Sequence, residues 1–598
     1  MTETELRHWI AEVRRGALPR RDFVQRLAAL GLGAPMAGSL LLAAGVAQGQ
    51  PGPTGATYKP TRRGGGGLLR LLWWQGPTIL NPHFTTGQKD TDGSRLFYET
   101  LADWDNEGRL IPQLAAEIPS LDNGGVARDG KSVVWKLKKG VQWHDGAPFT
   151  ADDVVFTWRY ASDPATAATS IAYYLDRTVE KIDSHTVRVV FKQPTPFWAH
   201  TFVGAGGEIL PRHVFGPYTG AKSREAPANL APVGTGPYKF VAFKPGDLVQ
   251  GALNPNYHLP NRPHFDRIEM KGGGDAVSAA RAVLQTGEYD FAWNIQVEDE
   301  LIKRMEAGGK GRADFVPGGA DLEFITFNFS DPNREVEGER SSLKAPHPVL
   351  SDPAVRQAIS LLVDKASIEK FIYGRAGVAT ANYIDNPPAY RSPNTKWEFN
   401  PEKAAALLEA AGWKKGKGGV REKNGRPLKL LFQSSTNALR QKTQALVKQA
   451  AQKAGVEIEI KAIAGSVFFS TDVGNPDTYG KFHADLQMYT GGGTIDPARV
   501  MLRFTSWEAA QKANKWSGIN LSRHVNPEFD RLYREAEREL DPVKRAALFI
   551  RMNDLLVQTH AVIPVIQRRS VAAVSNKLVA PVSAWVGDMG FLRDWYRT

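Results

Sequence analysis

Residues 134–160 read VWKLKKGVQWHDGAPFTADDVVFTWRY, and this run restricts the possible folds more than any other stretch of the chain. Val133, Trp135 and Leu137 alternate with Val134, Lys136 and Lys138, which predicts a strand with one apolar face. Lys139-Gly140 turns the chain, and Val141-Gln142-Trp143 starts a second short extended run. His144-Asp145-Gly146 is turn chemistry, because Gly accepts positive φ and Asp bonds its own backbone. Thr150 then caps a helix, with Asp153 three residues on as an imperfect capping box. Asp152 and Asp153 lie at the positive helix end. Val154, Val155, Trp158 and Ala161 form the apolar stripe.

A chain of 598 residues is too long for one core, so two or three domains are expected. The formal charge is +12, of which residues 1–47 supply +2 (six arginines against four acids). Basic residues are spread rather than clustered, so no nucleic-acid partner is expected. A mildly basic surface suits an anionic membrane or an acidic ligand equally well. Cysteine is absent. That excludes disulfides, thiolate metal sites, a Cys nucleophile and a lipoprotein anchor.

The opening stretch resembles the signature of the family 5 solute-binding proteins of ABC importers, which bind dipeptides, oligopeptides, nickel and opines. The shared pattern runs from a K-x-G-V turn to F-H-D-G-x-P-F-T-A-x-D-V. Here Trp143 replaces the usual Phe, and His144 to Val154 follow in order. Further family motifs recur along the chain: Leu80-Asn81-Pro82-His83, Pro112-Gln113-Leu114-Ala115, Gly234-Thr235-Gly236-Pro237-Tyr238, Asn254-Pro255-Asn256-Tyr257, Gly287-Glu288-Tyr289-Asp290, Asp352 to Ile359 and Asn400 to Trp413. The resemblance covers essentially Leu68 to Trp595. It implies an α/β, two-lobed periplasmic-binding-protein fold of type II, with a hinged cleft and the extra α+β domain of the larger members.

The implied organisation is a signal peptide at 1–47, a flexible linker at 48–67, and lobe I from 68–100. The extra domain follows at 101–229, lobe I again at 230–321, lobe II at 322–560, and lobe I once more at 561–598. Expected elements include a buried strand from Leu68 to Trp74 and a helix from Asp92 to Leu101. A βαβ unit is expected around the helix Gln441 to Ala454, and Ile563 to Ile566 is expected to return to lobe I. Strand ends and hinge-facing loops give the candidate cleft residues: Phe84, Thr85, Trp293, Asn294, Asn328, Tyr489, Thr490, Gly491, Gly493 and Thr494.

In peptide-binding members the strand end near 490 reads W-x-G-D-x-x-D-P, and its first Asp pairs with the peptide amine. Anchoring on Asp496-Pro497 puts Gly493 at that acidic place. Asp496 and Asp485 are the other acids nearby. The arginine that dipeptide binders use for the carboxylate end is not found before the helix starting near Ala438, and Arg440 falls inside that helix. A solute without a primary ammonium is therefore expected: sugar-like, opine-like or a blocked peptide. The resemblance implies capture of a small organic solute (peptide-like, opine-like or glycoside-like) by a monomer. Delivery is to the transmembrane subunits of an ABC permease, with no catalysis, cofactor or metal. The alternatives are a nickel-chelate carrier and a periplasmic hydrolase. For the hydrolase, G-x-S-x-G and H-E-x-x-H are both absent.

Arg20-Arg21-Asp22-Phe23-Val24-Gln25 resembles the twin-arginine export motif, and the uncharged run Leu27 to Ala47 follows it. That run is also long enough to span about 30 Å of bilayer as an uncleaved anchor. The expected product is a soluble periplasmic protein beginning near Gln48. Changing Arg20 and Arg21 together to Lys should leave precursor in the cytoplasm. Unimpaired export in a fractionation assay would count against that route.

Overall fold

The computed structural model describes residues 3–29 except 16, and residues 58–598 except 471, 473 and 517. The cleavage site and most of the apolar run before it lie outside the described residues. The segment ahead of them forms two helices, Glu3–Arg14 and Arg20–Ala29. Leu6, Ile10, Val13, Leu18, Phe23 and Leu27 bury one common apolar face between them. No described helix is long and apolar enough to cross a membrane.

Two sheets carry the fold. The first has seven strands in the order Gly311–Val316, Ser570–Ser575, Phe291–Ala292, Leu68–Trp73, Arg267–Gly272, Leu248–Leu253, Tyr238–Lys244. Leu68–Trp73 is parallel to both neighbours, and its alternate residues Leu69, Leu71 and Trp73 are fully buried. The second has six strands in the order Gly377–Ala379, Val562–Arg568, Leu322–Phe327, Leu486–Gly491, Lys429–Ser435, Glu457–Ile463. Leu322–Phe327 is buried at every position, because both its faces are covered. Lys429–Ser435 and Glu457–Ile463 pair in parallel across the helix Ala438–Ala454, as a βαβ connection requires.

The chain passes from the first sheet to the second through residues 317–321, and back at Arg569. The return differs from the sequence expectation. Ile563 to Ile566 belongs to Val562–Arg568, which pairs antiparallel with Leu322–Phe327 in the second sheet. The crossing falls after Arg568, and Ser570–Ser575 is the strand that rejoins the first sheet. An unbroken apolar run reads the same in either lobe, so pattern alone cannot choose between them.

The opening stretch folds as its residues demand. Ser132–Lys136 pairs with Thr186–Phe191, and Arg177–Asp183 completes a three-stranded antiparallel sheet. The helix Ala151–Ser162 has a full capping box: Thr150 Oγ1 accepts from Asp152 N at 3.3 Å, and Asp153 Oδ2 accepts from Thr150 N at 2.9 Å. Its buried stripe is Val154, Thr157 and Ala161, while Val155 and Trp158 are only half-buried. His144 Nδ1 accepts from Gly234 N at 3.1 Å, so Nε2 carries the proton and donates to Gly236 O at 3.1 Å. Burial lowers the His144 pKa to about 4. The turn motif and the Gly-Thr-Gly-Pro-Tyr motif are thus one unit. Gly234 is obligatory there, since a Cβ would lie 1.8 Å from Phe97 O.

Two further expectations are corrected. The helix near Asp92 is Gln88–Ser94, and Leu96, Phe97 and Leu101 are buried beyond its end. The C-terminal end of the expected linker is not a tether. Arg63 donates to Arg262 O at 2.6 Å and to Leu259 O at 3.0 Å, and Gly65 N and Gly67 N donate to Asp266 at 2.8 Å. Gly64, Gly65 and Gly67 all have positive φ, so the glycine run buys a conformation rather than flexibility.

Replacing Thr150 by Ala removes one half of the capping box. The expected loss is about 1 kcal/mol of stability in denaturant unfolding, with the fold retained.

Candidate functional site

Between the two sheets lies a cavity of about 750 Å³. Its walls come from four parts of the chain. The first sheet supplies Trp74, Trp293 and Asn294. The second lobe supplies Thr490 from the strand Leu486–Gly491, Gly493 and Thr494 just beyond it, and Arg440 from the helix Ala438–Ala454. Tyr173, Phe197 and His200 come from the α+β segment, and Trp585 and Asp588 from the C-terminal segment. Trp143 of the α+β segment, Ile495 of the second lobe and Trp585 of the C-terminal segment share one apolar cluster.

Much of the wall is aromatic. Trp104 stacks on Phe197 with centroids 5.6 Å apart, Phe197 meets His200 at 4.6 Å, and His200 stacks on Tyr173 at 5.9 Å. Opposite them, Trp293 lies parallel to Trp73 at 6.1 Å and tilts against Trp74 at 6.1 Å. Trp293 is 7% exposed, so it serves both core and wall. Rings of this kind offer large apolar faces at low entropic cost to a ligand.

A polar network closes the floor. Glu323 receives Arg440 Nε on Oε2 and Arg440 Nη2 on Oε1, both at 3.0 Å. Thr490 Oγ1 also donates to Glu323, and Arg568 Nη1 lies 3.6 Å from its Oε1. Arg568 reaches on to Thr490 Oγ1 at 2.9 Å and to Asn294 Oδ1 at 3.2 Å. Burial alone would raise the Glu323 pKa, but Arg440 and then Arg568 overcome it and hold the carboxyl below its ordinary value. Asn294 has φ +50, a left-handed conformation that Asn tolerates. Its Oδ1 also accepts from Gln296 at 3.1 Å, and Asn437 of the second lobe donates to Gln296.

Two acids line the cavity, Asp321 and Asp588. Burial raises the Asp321 pKa, offset only in part by Arg568. Burial, then Asp92, then Asp321 drive the Asp588 pKa well above the carboxylate range. Arg499 lies over the Tyr173 ring at 5.1 Å. Among the described residues no group of three His, Cys, Asp or Glu is placed to hold a metal ion.

Of the sequence candidates, Trp293, Asn294, Thr490, Gly493 and Thr494 line the cavity. The others do not. Phe84 is 2% exposed, in the first-lobe core beneath Arg224 at 3.7 Å. Thr85 Oγ1 donates to Pro82 O at 3.2 Å, and the next residue, Thr86, reaches the wall instead. Asn328 is fully buried and donates to Phe482 O at 2.8 Å and Ala484 O at 3.1 Å. Tyr489 packs on Phe324 at 4.7 Å and Tyr479 at 5.5 Å. A Cβ on Gly491 would meet the Phe324 ring at 2.6 Å. The pleat explains the last two: side chains alternate, so Thr490 faces the cleft while 489 and 491 face away. Arg440 lies one turn inside its helix, yet it reaches the cavity, because its side chain runs back toward the N-terminus capped by Asn437. Asp321, Arg568, Tyr173, Phe197 and Trp585 carry no local sequence signal, since tertiary contact alone brings them together.

The sequence profile described as "Bacterial extracellular solute-binding proteins, family 5 Middle" matches residues 109–512. The chain belongs to this family. It is 28% identical over 398 residues to the oligopeptide-binding protein AppA of Bacillus subtilis, covering 65% of this chain and 68% of that protein. The structure of AppA in complex with a nonapeptide superposes with TM-score 0.73 at 23% identity, over 90% of this chain and 100% of that one. NikZ from Campylobacter jejuni in complex with Ni(L-His) gives TM-score 0.74 at 22% identity, over 89% and 99%. The fold is therefore that of the two-lobed family 5 binding proteins, a family of solute binders rather than enzymes.

Gly493 has no room for a side chain. A Cβ there would lie 2.3 Å from Val500 Cγ2 and 3.0 Å from Ala320 Cβ. Gly493→Ala should cost about 1–3 kcal/mol through overpacking, read as a lowered melting temperature of the ligand-free protein.

Proposed function

We propose that this chain is the substrate-binding component of an ABC importer, capturing a small organic solute by closing its two lobes. The aromatic-walled cavity of about 750 Å³ carries this reading. It lies between two sheets, at the two places where the chain crosses from one to the other. Its volume falls in the usual range of about 300–1,000 Å³ for small-molecule sites. Residues 317–321 and Arg569 are the hinges that absorb the change in backbone angle on closure. The closed form then docks on the transmembrane subunits of its permease.

The solute class is organic: peptide-like, opine-like or glycoside-like. Aromatic rings and a few hydrogen-bonding groups suit such molecules. The chain works as a periplasmic monomer without catalysis, exported by the twin-arginine route. The candidate residues Trp293, Asn294, Thr490, Gly493 and Thr494 contact the solute, together with Trp74, Tyr173 and Trp585. A dissociation constant near 1 μM corresponds to about −8 kcal/mol, enough to draw the lobes together where the closed state binds better.

Mass spectrometry of small molecules released from the denatured, purified protein should identify the solute. Adding it back should reduce the radius of gyration in small-angle scattering. It should also stabilise the fold by about 2.7 kcal/mol at a hundredfold excess over the dissociation constant. Tight binding with an unchanged scattering curve would sink the closure mechanism while leaving the binding role.

A further inference from the structure

Residues 414–429 read KKGKGGVREKNGRPLK, with seven Lys or Arg against one acid, Glu422. That is a formal +6 in sixteen residues, half of the +12 carried by the whole chain. The segment folds as a small antiparallel sheet of its own, with strands Lys414–Lys415, Arg421–Lys423 and Arg426–Pro427. Arg421 mounts this sheet on the second lobe. It is 3% exposed, and it donates to Ala454 O at 2.8 Å, Trp413 O at 2.7 Å and Glu409 at 2.6 Å. Its backbone N donates to Gly455 O at 2.8 Å, so the sheet sits on the last turn of the helix Ala438–Ala454.

The other cations divide by their partners. Lys414 pairs with Glu409 at 2.8 Å, Lys423 with Asp352 at 3.0 Å and Lys429 with Glu457 at 3.0 Å. Lys415, Lys417 and Arg426 are exposed, and among the described residues their side chains make no ion pair or hydrogen bond. Lys453, exposed in the last turn of the helix below, has no acid partner either. The turns project into open space: a Cβ on Gly418, Gly419 or Gly425 would meet no atom within 4 Å. None of the exposed large apolar side chains of the described residues falls in this segment. A protein partner is normally gripped by an aromatic or aliphatic anchor in a pocket, and this surface has none to offer. Three strands spaced by about 4.8 Å give a sheet roughly 10 Å wide. That is one Debye length at 0.1 M salt, about 10 Å, so its free charges act together on a facing surface.

We propose that this sheet is a membrane-contact surface, holding the protein electrostatically on a bilayer of anionic lipid headgroups. Such a bilayer presents many dispersed phosphates, which suit exposed, long-stemmed cations without an apolar anchor. Glu422 is the one acid that opposes it on the sheet. The helix Ala438–Ala454 separates the surface from the cavity. Arg440 reaches the cavity from one end, and the sheet sits at the other, about 20 Å away at 1.5 Å per residue. Contact with the bilayer therefore leaves the cavity free. The surface uses no residue of the cleft, so it goes beyond the solute-binding reading and stands or falls separately from it.

The test is co-sedimentation of the full exported protein with vesicles, either phosphatidylcholine alone or equal parts phosphatidylcholine and phosphatidylglycerol. The protein should sediment with the anionic vesicles alone and be released as salt rises. Removing one free cation should cost about fivefold in partition, so the triple variant Lys415→Gln, Lys417→Gln, Arg426→Gln should lose roughly a hundredfold. The variant Lys415→Arg, Lys417→Arg, Arg426→Lys keeps the charge and should keep the binding. A charge-matched control, Lys131→Gln, Lys139→Gln, Lys222→Gln, changes three exposed lysines of the α+β segment and should bind nearly as the wild type does. All these side chains are exposed, so melting temperatures should not move; should the triple variant melt lower, the three single variants give the same reading. Absence of vesicle binding, equal binding to phosphatidylcholine alone, or an equal loss in the control variant overturns the proposal. So does binding to polyglutamate or a DNA oligonucleotide through Lys415, Lys417 and Arg426 without binding to vesicles, which assigns the sheet to an acidic polymer instead.

Discussion

The buried pairing of Glu323 with Arg440 is the contact on which the cleft depends. Glu323 lies on the wholly buried strand Leu322–Phe327, where a lone carboxylate would be prohibitively costly. Arg440, one turn into the helix Ala438–Ala454, satisfies it with two parallel hydrogen bonds. Arg568 then stands beside the same acid from the end of Val562–Arg568, one residue before the chain leaves for the first sheet. Two guanidinium groups facing one carboxylate leave a positive charge directed along the floor, and Asn294 of the first sheet takes one of its hydrogen bonds. Removing Glu323 would strand both cations in a low-dielectric site, at a cost of several kcal/mol.

That network also explains why the crossing segments are where chemistry concentrates. Asp321 precedes Leu322–Phe327 by one residue, and Arg568 N donates to Asp321 O at 2.8 Å. The two crossings therefore run side by side, hydrogen-bonded to each other beneath the cavity. A change in the angle between the sheets must pass through this pair of strands. Trp74, Trp293 and Trp585 of the first lobe and Thr490, Thr494 and Arg440 of the second line the cavity above it. A stable polar floor with apolar walls is the arrangement expected of a cleft that excludes water as it closes.

Local sequence fixed the local devices. The capping box of Thr150 and Asp153, the cap of Asp352 before Pro353, and the cap of Asn400 before Pro401 all form where the residues specify them. The parallel strands on either side of Ala438–Ala454 follow from the alternation of patterns. Each of these depends on contacts within a few residues, so each is legible in the chain itself. The order of family motifs extended this to the architecture, because long ordered matches persist only where one fold is kept.

What the sequence could not decide was which side of a strand meets the cleft and what crosses space to meet it. Tyr489 and Thr490 are adjacent and both plausible on pattern, yet the pleat sends one into the core and the other to the cavity. Ile563 to Ile566 reads as a buried strand in either lobe, and only its pairing with Leu322–Phe327 assigns it to the second. A side chain at Gly493 would collide with Val500 and Ala320, and one at Gly492 would meet Asp321, neighbours that only the fold brings to this strand end. Sequence determined the elements and the family. Tertiary packing decided the composition of the site, since a binding surface is set by distances between parts of the chain that share no local pattern.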